Sequence, residues 1–179
     1  MVMVMMSIPA DRRAAAGVRI THPNRDKPAV QATRAAVIVL MLVTAALVLL
    51  ITVGGFEALE GVGPVIVQCL FVVCYVLLAV YAGRWNRGTL PVASVLGVLL
   101  GTFALIAAPG WFERDSSAFA QPALGSNLLG VLTVLVIPVQ VLLVIFAMRG
   151  VQQGWNVELE LRDPGAPGVG YDEAAPYAA

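Results

Sequence analysis

Charge is absent from four long stretches of the chain. Ala35 to Phe56, Gly61 to Gly83, Gly88 to Phe112 and Ser116 to Met148 contain no Asp, Glu, Lys or Arg. At about 1.5 Å per helical residue, each can cross the ~30 Å hydrocarbon core of a bilayer. The pattern predicts an all-α, four-helix transmembrane bundle, up-down-up-down, with disordered N- and C-terminal tails. The spans fall at about 35–53, 64–82, 90–108 and 126–148. The first is too long for the roughly 7 to 15 residue core of a cleaved signal and reads as a retained anchor. Pro64 and Pro91 suit first helical turns, where a missing N–H costs nothing. Pro109 and Gly110 are expected to end the third span.

Three segments follow from these spans. Residues 1–33 are polar and basic, with Pro9, Pro23 and Pro28 and no apolar period, and read as a flexible cytoplasmic tail. Residues 34–149 form the transmembrane domain. Residues 150–179 are a cytoplasmic C-terminal segment with a strand-like stretch at 155–162 and then a disordered tail rich in Pro, Gly and Ala. In that stretch Trp155, Val157, Leu159 and Leu161 alternate with Asn156, Glu158, Glu160 and Arg162. Such a segment either adds to the edge of a partner's sheet or lies against the membrane or its own amino-terminal tail.

Composition agrees. The chain is 59% hydrophobic and 12% charged, far from a soluble domain of this size. Orientation is read from the arginines, because short translocated loops lose Lys and Arg. Arg12, Arg13, Arg19, Arg25, Lys27 and Arg34 precede the first span, Arg84 and Arg87 separate the second from the third, and Arg149 and Arg162 follow the fourth. Only Arg114 falls on the other side, among Glu57, Glu60, Glu113 and Asp115. Both termini are therefore expected in the cytoplasm. Trp85, Trp111 and Trp155 sit at span ends, where headgroups suit an indole. Ten of the eleven basic residues are Arg and small apolar residues dominate, a bias attributed to a GC-rich bacterial genome and hence a bacterial inner membrane.

Lipid tails are as apolar as Leu, so helices associate through small residues and hydrogen bonds. Ser94, Gly97, Gly101, Ala104 and Ala108 form a small stripe on the third span, and Ser126, Gly130, Thr133, Ile137 and Gln140 one on the fourth. Matching depths predicts two polar rungs. Gln68 pairs with Thr133, and Tyr75, Ser94 and Gln140 meet deeper. Pro138 predicts a kink in the fourth span by leaving the Val134 carbonyl without its donor. The first span, with Thr44 and Thr52 as its hydroxyls and no small stripe, is expected to be the most lipid-exposed.

Candidate chemistry is sparse. No Asp, Glu, His or Lys lies in a span to serve a proton relay. The single histidine, His22, lies in the amino-terminal tail, so no haem ligand is expected from it. Cys69 and Cys74 have no Cys-x-x-Cys spacing and read as small apolar fillers. The serines lack a His or Lys partner, and no phosphate-cradling loop occurs. The acids of the outer loops match no oxygen cage for a metal. The loop Trp111 to Gln121 either docks an external partner or rests in the headgroups. No cofactor, metal or nucleic-acid partner is expected, and zero net charge agrees with the last point.

The leading expectation is a non-catalytic accessory or scaffolding subunit that acts by helix association with a membrane-protein partner or as a homo-oligomer. The alternative is a small transporter or channel component for a neutral or lipophilic solute, with Gln68 and Gln140 lining its path. A membrane-embedded enzyme comes third for want of a catalytic constellation.

Overall fold

The computed structural model describes residues 18–59, 61–86, 88–114, 123–155, 157 and 159–162. The chain divides into two units, Asn24–Asn156 and the segments flanking it. In the flanking unit, β1 (Val18–Thr21) pairs antiparallel with β2 (Leu159–Arg162), Val18 opposite Arg162 and Thr21 opposite Leu159. The strand-like C-terminal stretch thus pairs with its own amino-terminal segment. That pairing takes up one of its edges and orders part of a segment expected to be flexible. The strand starts at Leu159, whereas Trp155 belongs to a turn.

The other unit is the bundle: α1 (Pro28–Gly54), a 3-10 turn at Phe56–Ala58, α2 (Val62–Gly83), α3 (Thr89–Glu113) and α4 (Ser126–Gln152). The helices have 22 to 27 residues. At about 1.5 Å per residue all exceed a ~30 Å hydrocarbon core. Large apolar side chains cover the outside, with Val39, Leu50, Val95, Ile106 and Ile145 all more than half exposed. Water would not tolerate that surface, and lipid requires it. The protein is a small multi-pass membrane protein.

α1 starts at Pro28, inside the segment read as a flexible tail, because proline is pre-set for a first helical turn. α3 runs through Pro109 and Gly110 to Glu113, beyond its expected end. The last turn is held by Trp111, which is buried and meets Gly55 at the end of α1. α4 is likewise helical through Pro138.

Helix order in space departs from helix order in sequence. α4 packs along α3 and on α1, α1 packs on α2, and α2 barely touches α3. The first span is therefore a central helix and not the most lipid-exposed one. Of its most apolar stretch 44% is buried, against 22% for α2. Val30, Thr33, Val37, Met41, Thr44, Val48 and Ile51 form its inward stripe. Hydrophobicity could not mark that stripe, since both faces of a bilayer helix are apolar.

Candidate functional site

Midway through the bundle a single glutamine joins three helices. The Tyr75 hydroxyl of α2 donates to Gln140 Oε1 of α4 over 2.8 Å, and Gln140 Nε2 donates to Thr44 Oγ1 of α1, also over 2.8 Å. Thr44 passes its own proton to the Leu40 carbonyl at 2.8 Å. All donors in the relay run one way. Tyr75 is fully buried and Gln140 is 2% exposed, so no water is needed to complete the set. α3 supplies room instead of polarity. A Cβ on Gly97 would lie 3.4 Å from Gln140 Oε1, and one on Gly101 3.4 Å from Gln140 Cβ.

Above this sealed core, toward the end carrying Trp111, the separation of α2 from α3 leaves a cleft of about 380 Å³. Its back wall is Val48 and Ile51 of α1 with Thr133 and Val136 of α4. Phe71 forms the floor, where it stacks on Tyr75 at 6.4 Å between centroids and meets Phe103 edge-on at 6.2 Å. Trp111 closes the top, and half-exposed Val67 and Phe103 stand at the mouth between the helices. Gln68 and Thr133 are its polar lining residues.

Gln68 is tied to α1. Thr52 Oγ1 lies 2.6 Å from Gln68 Oε1 and 2.7 Å from the Val48 carbonyl. One hydroxyl proton serves one acceptor, so the amide turned by 180° completes both bonds, with Thr52 donating to Val48 and accepting from the Gln68 NH2 group.

At the opposite end, where α1 begins and α4 ends, Arg34 closes the bundle. Its Nε donates to the Ala82 carbonyl at 3.2 Å, and its Nη2 donates to the Gly83 carbonyl. These are carbonyls of the last turn of α2, where a cation is favoured; that of Ala82 also accepts from the Trp85 N–H at 3.2 Å. The guanidinium stacks on Trp85 at 4.3 Å, and Trp85 meets Trp155 edge-on at 5.6 Å. Gln153 Nε2 donates to Thr33 Oγ1 at 3.1 Å, which ties α4 to α1.

The positions singled out from sequence divide cleanly. Tyr75 and Gln140 meet. Ser94 does not join them, because Gly97 and Gly101 are the α3 residues that lie against Gln140; Ser94, nearer the start of α3, donates to the Leu90 carbonyl of its own helix at 3.0 Å. Gln68 and Thr133 line the same cleft without bonding each other, since Thr133 donates to the Leu129 carbonyl at 2.8 Å. Gly97 and Ala104 are buried, whereas Gly101 is half-buried and lines, with Gly97, Val98 and Val141, a groove of about 350 Å³ between α3 and α4. Gly130 is buried against the Phe112 ring, not against another small residue. Trp111 and Trp155 are buried in the protein, not laid in headgroups. Cys69 is exposed and Cys74 half-buried, both free. Asp115, Ser116, Ser117, Phe119 and Gln121 of the long loop and the tail after Arg162 lie outside the described residues.

Sequence reasoning missed Thr44, Thr52, Phe71 and Arg34. A threonine in a span ordinarily bonds the carbonyl four residues back, and nothing in the sequence shows that its oxygen also accepts. Comparison with protein-family models, with curated proteins and with solved structures finds no match for this chain.

Proposed function

We propose that the protein is a non-catalytic binding subunit of a bacterial cytoplasmic membrane that holds one hydrocarbon chain of a lipid in the cleft between α2 and α3. The cleft is the observation that carries this proposal. Its volume of about 380 Å³ falls in the range of small-molecule sites, and its walls carry no ionisable side chain. Along α2 it extends from Pro64 to Phe71, and along α3 from Leu100 to Trp111. At about 1.5 Å per residue these are ~11 Å and ~17 Å, close to the ~15 Å of one leaflet. The mouth faces the hydrocarbon, so a chain enters without crossing water.

An accessory role by helix association has less support. Most of the small stripe that would serve a partner is used inside the bundle, where Gly97, Ala104 and Ala108 are buried and Gly97 packs on Gln140. A polar path through the bundle also has little support, because Tyr75 and Gln140 are sealed by their neighbours. Gln68 and Thr133 supply neither a base nor an activated nucleophile, which favours binding over catalysis. Both termini lie on the cytoplasmic side in this proposal, in keeping with Arg25, Lys27, Arg34, Arg84 and Arg149 at one end of the helices and Glu57 and Glu113 at the other.

The test places the protein in nanodiscs containing a phosphatidylcholine with a photoreactive group on its acyl chain, followed by mapping of the adducts. Val67, Phe103 and Ala107 are expected to be labelled above outward-facing Leu135 and Ile145. Ala104→Phe, which fills the cleft, should abolish that preference. Labelling spread evenly over the outer surface and unchanged by Ala104→Phe would refute the assignment.

A further inference from the structure

We propose that the first two turns of α2 form a lateral gate on the cleft, hinged at Phe71 and latched by the hydrogen bond between Thr52 and Gln68. The proposal rests on the cleft being the binding site and adds how a chain is admitted to it.

The two halves of α2 are held very differently. Its buried residues are Phe71, Tyr75, Ala79 and Ala82, so none precedes Phe71. The lower half is fixed three times over: Tyr75 bonds Gln140 of α4, Arg34 of α1 binds the last carbonyls, and Phe71 meets Phe103 of α3 edge-on. The upper half has hollows on two sides. One is the cleft, which touches Pro64, Val67 and Gln68. The other is a recess of about 470 Å³ that touches Val65 and Cys69, with Thr52, Val53 and Phe56 across it. Between them Gln68 reaches Thr52.

The chain entering this half is jointed. Gly61 adopts φ +92°, a left-handed conformation open to glycine, and a Cβ on Gly61 or Gly63 would meet nothing within 4 Å. A half-helix with no buried side chain, a glycine joint at one end and an anchored aromatic hinge at the other can swing as a rigid piece. Lids that admit ligands are built from such weakly held elements.

The latch is biased toward closure. When it opens, Thr52 keeps its bond to the Val48 carbonyl, whereas the Gln68 amide loses its partner in a hydrocarbon setting. The gate therefore recloses unless an incoming molecule props it open.

Distance measurements between spin labels test this in liposomes of phosphatidylcholine, with the two native cysteines first removed as Cys69→Ala and Cys74→Ala. Ile66→Cys with Val131→Cys reports the upper half of α2 against α4, and Leu77→Cys with Leu142→Cys reports the lower half. The upper pair should give the broader distribution. Gln68→Leu and, independently, Thr52→Val should shift the upper pair to longer distance and leave the lower pair in place. Equal widths for the two pairs, or an upper pair unmoved by both substitutions, would overturn the gate. An unchanged lower pair certifies that each variant is folded. Failure of the binding proposal reads separately: loss of preferential acyl-chain labelling with a mobile upper pair sinks the ligand and spares the gate. Preferential labelling with an immobile upper pair does the reverse.

Discussion

Tyr75 and Gln140, 65 residues apart in sequence, form a hydrogen bond in which the phenol donates to the amide carbonyl over 2.8 Å at the centre of the bundle. Gln140 is shared with Thr44, so its loss strands groups on two helices. Gln140→Leu is expected to cost about 1–3 kcal/mol, the penalty for leaving buried polar partners unsatisfied. Tyr75→Phe removes one donor and should cost about 0.6 kcal/mol, the average for hydrogen bonds between helices in a bilayer. Reversible unfolding of the two variants and their double mutant checks this. Strict additivity in that cycle would contradict a shared network.

The legible part of this site was its depth. Tyr75 lies seven residues before the expected end of the second span and Gln140 eight before that of the fourth, and the two helices run the same way, so sequence suffices to place them level. Rotation about each helix axis was not legible. Depth failed for α3 as well: Gly97 and Gly101 are the residues level with Gln140, so Ser94, nearer the Leu90 end, bonds its own Leu90 carbonyl. The spans themselves are written in the absence of charge. The central place of α1 is not, because a lipid-facing valine and a buried valine look alike in sequence. Its buried threonines were the one available signal, and each was accounted for by a bond to the carbonyl four residues back.

Glycine positions separate by what a methyl group would strike. At Gly150 a Cβ would come within 2.9 Å of both Leu90 Cδ1 and Trp155 Cζ2, and both side chains are buried. At Gly97 it would lie 3.1 Å from Val144 Cγ2, and at Gly130 2.7 Å from the tip of the Phe112 ring. Phe112 is 49% exposed and free to swing outward. Gly150→Ala is thus expected to destabilise by about 1–3 kcal/mol, with Gly97→Ala at or below the low end of that range for overpacking. Gly130→Ala should be the mildest despite the shorter distance. Thermal denaturation in detergent reads the order, and a Gly130 variant weaker than the Gly150 variant would contradict it.

Trp111 ends α3 under a different constraint. Its ring fills the space over Gly55 and closes the top of the cleft, with Arg114 stacked on it at 4.7 Å. Trp111→Ala is expected to cost about 3–5 kcal/mol, as for other buried aromatic truncations. It should also open the cleft at its upper end, so that acyl-chain labelling spreads to Gly55 and Leu129. Stability lost without that spread would mean that the ring only packs.

Arg34 separates charge from geometry. A lysine at this position keeps the positive charge near the α2 C-terminus but has neither the fork that reaches two carbonyls nor the flat face that lies on Trp85. The backbone it braces is costly in its own right, for Trp85 has φ +59°. A left-handed non-glycine residue gives up about 1–2 kcal/mol. If charge alone matters, Arg34→Lys should behave like wild type. If the fork and the stack matter, Arg34→Lys should lose nearly as much stability as Arg34→Ala. We expect the second pattern, because two carbonyls and one indole face converge on a single guanidinium. Unfolding of wild type and the two variants in one detergent, followed by the tryptophan fluorescence of the bundle end, discriminates the two.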